Sequence, residues 1–197
     1  SLPRVLVLAA GAGSRMGGPK IFAEIHQRPF GFHIARTLAQ LGWPSTWVLR
    51  DASQAVRAPW LAALQSAFAV NPEGDMFSSV QAGLFSLSGV PPDAFFIWPV
   101  DFPLVRPETL LQLEKTLREG YDAVFPADAG GATGHPPCVR RHTLARWVSS
   151  LPVRGGLRAA MASLSCRTAR VFTSDRACFL NLNTPADIRS FGEAGDA

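Results

Sequence analysis

The spacing of apolar positions changes repeatedly along the chain, and each change predicts an element. Arg4 to Ala10 is a continuous apolar run stopped by glycine, the pattern of a strand buried on both faces of a parallel sheet. From Phe30 the apolar residues Phe30, Ile34, Leu38 and Leu41 recur at helical spacing, and Gly42 with Pro44 predicts the end of that helix. Thr46 to Leu49 reads as a second strand, Ala55 to Leu64 as a helix, Ala67 to Val70 as extended, and Met76 to Leu87 as a further helix. Asp93 to Val100 is the most apolar strand. Pro107 to Glu119, with an early proline and Gly120 as terminator, is a helix, and Asp122 to Phe125 is the strand after it. This alternation predicts an α/β fold, a mostly parallel, right-handed, Rossmann-like sheet flanked by helices, in a single domain spanning residues 1–197. Residues 127–137, Ala-Asp-Ala-Gly-Gly-Ala-Thr-Gly-His-Pro-Pro, predict a long surface loop of the kind that borders active sites. Val139 to Trp147, Gly156 to Leu164, Ala169 to Phe172 and Pro185 to Phe191 predict shorter elements, and the tail after Gly192 is expected to fray.

Composition narrows the function classes. The chain is 47% hydrophobic and 17% charged with a mean hydropathy of +0.12, which excludes intrinsic disorder. No apolar run approaches the roughly 20 residues of a spanning helix, and the first strand runs into a glycine loop without a signal-peptide cleavage site. Neither a membrane protein nor a secreted one is expected. A net charge of +4 raises the question of nucleic acid, but the basic residues are scattered, so a nucleic-acid partner is not expected. Lys20 and Lys115 are the only lysines among 19 basic residues, which makes each conspicuous. Cys138, Cys166 and Cys178 show no paired or zinc-like spacing, which suits reduced thiols in a cytoplasm.

The strongest local signal is Leu8-Ala9-Ala10-Gly11-Ala12-Gly13-Ser14-Arg15-Met16-Gly17-Gly18-Pro19-Lys20, directly after the first strand. A glycine loop there lets backbone N–H groups approach phosphates while Arg15 and Lys20 supply charge. A dinucleotide fingerprint fails because Met16 stands where a third glycine is needed. A Walker A loop fails because Pro19-Lys20-Ile21 follows Gly18. A glycine turn with no ligand is the bland alternative. The second signal is Asp101 at the end of the most apolar strand, where a carboxylate could hold a magnesium ion bridging phosphate oxygens or, alternatively, cap the helix that Pro107 begins.

Leu-Ala-Ala-Gly-x-x-x-Arg-Met-Gly-x-x-Lys, the Asp101-Phe102-Pro103 strand end, Gly134-His135-Pro136 and Asn181-Leu182-Asn183-Thr184-Pro185-Ala186-Asp187 together resemble the molybdenum cofactor nucleotidyltransferases, relatives of sugar-1-phosphate and methylerythritol-phosphate nucleotidyltransferases. The resemblance implies the nucleotide-diphospho-sugar transferase type of fold, with Ala9, Ala10, Gly11, Ala12 and Gly13 at the nucleotide, Lys20 at phosphate and Asp101 on Mg²⁺. It also implies Asn183 as a second metal contact, Asn71 and Ser79 at the base, and His135 on the acceptor side. The segment holding Asn71 and Ser79 can equally be read as an ordinary loop and helix, and His26, His33 and His142 read as structural or solvated.

The implied chemistry is attack of an acceptor phosphate on the α-phosphorus of an NTP with release of pyrophosphate, in which Mg²⁺, Arg15 and Lys20 offset charge and no protein nucleophile takes part. The acceptor would be molybdopterin, and a recipient molybdoenzyme could follow. Leu8-Ala9-Ala10-Gly11 and the Gly-His-Pro loop resemble the cytidylyl branch and Asn181-x-Asn183-Thr-Pro the guanylyl branch, with CTP favoured. A sugar-phosphate or methylerythritol-phosphate cytidylyltransferase, or a non-catalytic NTP-binding or cofactor-chaperoning module, are the alternatives.

Overall fold

A computed structural model describes residues 1–64, 66–150 and 156–193. The chain runs through β1 (Arg4–Ala9), a small hairpin of β2 (Glu24–Ile25) and β3 (Arg28–Pro29), α1 (Phe30–Leu41), β4 (Ser45–Leu49), α2 (Ser53–Val56), β5 (Ser66–Val70) and α3 (Met76–Phe85). It continues through β6 (Ala94–Pro99), α4 (Pro107–Arg118), β7 (Ala123–Ala127), β8 (Cys138–Arg140), α5 (Arg141–Val148), α6 (Gly156–Ser163), β9 (Thr168–Phe172) and α7 (Pro185–Glu193). Of the tail expected to fray after Gly192, Glu193 closes α7 and residues 194–197 lie outside the described residues.

Seven strands form one sheet in the order β5-β4-β1-β6-β8-β7-β9. All neighbours are parallel except β8, which runs antiparallel to both β6 and β7. The chain reaches that slot through the breaker-rich loop after β7, which folds back and inserts β8 between strands already laid down. The apolar runs of β1 and β6 are explained by burial on both faces. Val5, Val7 and Ala9 belong to the layer covered by α1 and α4, whereas Leu6, Leu8 and Ala10 belong to the layer covered by α3, α5 and α6. Trp43, just past α1, stacks on Phe96 of β6 with ring centroids 5.2 Å apart.

The helix expected over residues 55–64 is instead α2 followed by a 3₁₀ turn over Pro59–Ala63. Pro59 has no N–H and restricts the residue before it, so it starts a new turn rather than continuing the old one. The element expected over Val139 to Trp147 divides at Arg141 into the end of β8 and α5.

The start of α4 bears on the capping reading of Asp101. Its cap comes from Asp175, 69 residues away, whose carboxylate accepts hydrogen bonds from the Arg106 backbone N–H (2.9 Å) and the Thr109 hydroxyl (2.8 Å), with the Arg106 guanidinium 3.7 Å away. Asp101 takes no part in that helix end. Because Asp175 and Thr109 are both buried, Asp175→Ala leaves donors unsatisfied and should destabilise by about 2–4 kcal/mol. The measurement is a denaturant titration, with a lower midpoint and an unchanged slope as the expected result.

Candidate active site

The strand order reverses beside β1: the chain moves outward from β1 through β4 to β5, then returns to place β6 on the other side of β1. Loops leaving the carboxyl ends of β1 and β6 therefore diverge and leave a crevice between them, the usual ligand position in an open α/β sheet. A cavity of about 310 Å³ opens there.

Its floor is the glycine loop. Gly13 has φ +65°, and a Cβ on it would lie 1.8 Å from the Gly18 carbonyl oxygen. The Gly13 carbonyl in turn accepts hydrogen bonds from the backbone N–H groups of Met16 (2.9 Å) and Gly18 (3.2 Å). The loop thus closes on itself through a position that only glycine fits. Gly74, with φ +79°, brings the turn before α3 against the loop, where a Cβ would lie 2.7 Å from the Ala10 carbonyl oxygen. Arg50, at the end of β4, donates to that same carbonyl at 3.3 Å.

Lys20 joins the loop to the rest of the site. Its Nζ lies 3.0 Å from Asp101 Oδ1 and donates a hydrogen bond to Asn183 Oδ1. Two features hold the acceptors of that contact in place. The Leu182 backbone N–H donates to the Asp101 carbonyl at 3.0 Å, and Asp187 accepts from the backbone N–H groups of Asn183 (2.9 Å) and Thr184 (2.8 Å). The Thr184 hydroxyl contact, foremost, keeps the Asp187 carboxyl below the ordinary range. On the other side of Asp101, the Trp98 indole N–H donates to the Phe102 carbonyl at 2.8 Å and fixes the turn after β6.

Of the residues expected at the site, Ala9, Ala10, Gly11, Ala12, Gly13, Arg15, Lys20, Ser79 and Asp101 all line this cavity. Asn183 joins it through Lys20. Asn71 stands behind the wall: its Nδ2 donates to the hydroxyls of Ser78 and Ser79, both at 2.9 Å, and its Oδ1 accepts from the Glu73 N–H. It braces Ser79 from the rear. Asp75 caps α3 through the Ser78 N–H at 2.9 Å, and the Ser78 hydroxyl is the main reason its carboxyl is held below the usual range. The sequence reading took Gly74 and Met76 only as members of the segment around Asn71 and Ser79, and did not single out Arg50. Gly74 could have been found as the glycine of an Asn-Pro-Glu-Gly-Asp turn, but nothing local marks Arg50.

His135 lines a neighbouring cavity of about 210 Å³, and Met76 belongs to the walls of both. The loop carrying it is held tightly, since a Cβ on Gly134 would lie 2.2 Å from the Cys178 carbonyl oxygen. The imidazole packs 4.6 Å from the Phe102 ring, and its Nδ1 is buried without a hydrogen-bond partner among the described residues. Burial holds its pKa below the usual imidazole range, against the opposing pull of the Asp101 charge. His33 and His142 are engaged elsewhere, with the Ile25 carbonyl at 2.7 Å and the Asp122 carboxylate at 3.1 Å.

The arrangement combines a glycine loop, two cations and a carboxylate around one crevice, with a second cavity alongside, and is suited to bringing two phosphate-bearing molecules together. The family description of the MobA-like NTP transferase domain matches residues 5–170. The chain belongs to that family. A molybdenum cofactor guanylyltransferase from Cereibacter sphaeroides is 32% identical to this nucleotidyltransferase over 93% of the chain and 92% of its own length. One from Vibrio cholerae serotype O1 is 25% identical over 95% and 90%. Among solved structures, Rv0371c from Mycobacterium tuberculosis H37Rv superposes with a TM-score of 0.79 at 22% identity, covering 98% of this chain and 99% of that one. The fold is that of the nucleotide-diphospho-sugar transferases.

Gly13→Ala should force the loop open. The expected result is nucleotide binding weakened roughly tenfold or more, measured by calorimetric titration, with a melting temperature within a few degrees of wild type because the loop is exposed.

Proposed function

We propose that this nucleotidyltransferase transfers the nucleoside monophosphate of an NTP, CTP in preference to GTP, to the phosphate of molybdopterin, releasing pyrophosphate in the cytoplasm. The observation that carries the reading is the Lys20 ammonium held between the Asp101 carboxylate and the Asn183 amide oxygen at the mouth of the glycine loop. A cation beside a carboxylate, both open to one cavity, is what a site needs if it is to take a triphosphate together with a metal ion.

The donor set fits magnesium. Asp101 Oδ1 and Asn183 Oδ1 are hard oxygen donors that already converge on one cation, the Lys20 ammonium. Among the described residues no group of three His, Cys, Asp or Glu side chains could hold a metal. That favours an ion which keeps few protein ligands and shares itself with substrate phosphates. When bound, magnesium would supply charge neutralisation at those phosphates. The chain's own residues do the rest: the loop N–H groups and Lys20 orient the triphosphate, and Arg15 faces the charge moving onto pyrophosphate as the acceptor oxygen bonds to the α-phosphorus and the α–β bridging bond breaks. His135, whose Nδ1 has no hydrogen-bond partner among the described residues, meets the acceptor in the second cavity.

The preference for CTP rests on Ala10. It belongs to the apolar layer with Leu6, Leu8 and Val80, on the α3 side of the sheet, and it shares the cavity wall with Met76 and Ser79. The Ala10 methyl is almost wholly buried in that layer, so it would act by setting how near the base approaches this end of the wall. Guanylyl transfer is the second reading, favoured by the names of the curated relatives.

A titration of the four NTPs, followed by pyrophosphate release with molybdopterin as acceptor, tests both points. CTP should bind several-fold tighter than GTP, and Ala10→Gly should narrow the gap, since one methyl is worth about 1–3 kcal/mol of discrimination. A clear GTP preference assigns the chain to the guanylyl branch. Binding without pyrophosphate release would instead identify a non-catalytic module.

Lys20→Ala should lower turnover on the order of a hundredfold. Asp101→Asn should abolish most magnesium-dependent turnover while leaving the melting temperature nearly unchanged, because Asp175 rather than Asp101 caps α4. Turnover of the Asn variant close to wild type across a magnesium titration would remove Asp101 from the mechanism.

A further inference from the structure

The two oxygens assigned above to a divalent cation already touch a cation of the chain's own. Lys20 Nζ lies 3.0 Å from Asp101 Oδ1 and donates to Asn183 Oδ1, and among the described residues it has no other hydrogen-bond or ion-pair partner. Nor does the Asp101 carboxylate have a second cation or donor among them. The contact is largely enclosed, with 14% of the Lys20 side chain and 24% of the Asp101 side chain exposed. One negative charge and one amide dipole therefore serve one positive charge, and a metal ion would have to share them with it.

The way each partner is held says which of them can move. The oxygens sit on short side chains whose backbone is pinned: Leu182 N–H donates to the Asp101 carbonyl, Trp98 fixes the turn at Phe102, and Asp187 accepts from the N–H groups of Asn183 and Thr184. The ammonium instead ends a flexible four-carbon stem, and the same cavity is lined by Gly11, Ala12 and Gly13. It can swing toward a phosphate lying on the glycine loop without any shift of the backbone. A divalent cation placed on Asp101 and Asn183 by itself would leave that ammonium unpaired beside a like charge, whereas a triphosphate brings enough negative charge to hold it elsewhere. The two binding events are coupled through one side chain.

We propose that Lys20 is the chain's own competitor for the metal position: its ammonium holds Asp101 and Asn183 until a triphosphate draws it away, so that a divalent cation binds weakly to the nucleotide-free protein and tightly only with nucleotide. The proposal rests on the reading of Asp101 and Asn183 as metal contacts. It gives Lys20 a second task, keeping the carboxylate and the amide oxygen together and in place until the nucleotide arrives.

The test has two arms, neither of which needs turnover. In the first, Mn²⁺ is titrated into the full chain without nucleotide and the free ion is counted by electron paramagnetic resonance. Lys20→Met should bind Mn²⁺ roughly tenfold more tightly than wild type, and adding Asp101→Asn to it should erase the gain. Arg15→Gln, which removes a charge from the same cavity but not from these oxygens, should stay within about twofold of wild type. A Lys20→Met protein that binds Mn²⁺ no more tightly than wild type overturns the proposal, as does an equal gain in Arg15→Gln, which would reduce the effect to overall charge. The second arm uses the wild type. Lys20 and Lys115 are the only lysines, so ¹³C-lysine labelling gives two side-chain signals, assigned with Lys115→Arg on exposed α4. CTP with a chelator should move the Lys20 signal and leave that of Lys115; Mg²⁺ without nucleotide should move neither. Saturable movement of Lys20 by submillimolar Mg²⁺ overturns the proposal. A Lys20 signal unmoved by CTP removes the phosphate contact assigned to it above, and the manganese comparison then decides this proposal by itself.

Discussion

The site depends on one ammonium group. Lys20 Nζ contacts Asp101 Oδ1 and Asn183 Oδ1, and these three residues lie in segments that meet nowhere else in the chain order: the end of the glycine loop, the turn after β6 and the approach to α7. A carboxylate and an amide oxygen brought this close gain from a cation between them, and the chain supplies one before any ligand arrives. The main-chain bond from Leu182 to Asp101 and the grip of Asp187 on Asn183 make the C-terminal segment part of the site rather than an appendage to the sheet.

Around that contact the polar residues divide by whether the fold already uses them. Asp175 is consumed by the start of α4, Asn71 by the serines of α3, and Asp75 by the Ser78 N–H. These groups already serve contacts of the fold itself. Arg15 and Ser79 line the first cavity, and the His135 Nδ1 is buried without a partner among the described residues. The groups with spare hydrogen-bonding capacity trace the path along which two phosphorylated molecules would meet.

Glycine sets the dimensions of the path at two points. A side chain on Gly13 would collide with the Gly18 carbonyl, and one on Gly74 with the Ala10 carbonyl. The first lets the glycine loop fold upon itself. The second lets the α3 turn close against it, which positions Ser79 and Met76 on the cavity wall.

Much of this was legible in local pattern. The continuous apolar runs of β1 and β6, the helical spacing that ends at Gly42, and the glycine loop followed by a lone lysine need only neighbours in sequence to be meaningful, because strand burial, helix termination and phosphate approach are set by residues a few positions apart. Asp101 was marked by its place at the end of the most buried strand. The rest required contacts between distant residues. Pro59 divided a helix whose apolar spacing looked continuous, and β8 entered the sheet antiparallel because a returning loop delivered it between β6 and β7. The cap of α4 came from Asp175, a role that proximity in sequence had left open to Asp101. Asn71 and Ser79 looked alike as candidate base contacts until packing put one behind the wall and the other on it. Sequence determines what each short stretch prefers to be; which polar groups are used up and which remain free is decided only when the sheet has closed, because that depends on partners the chain meets far from home.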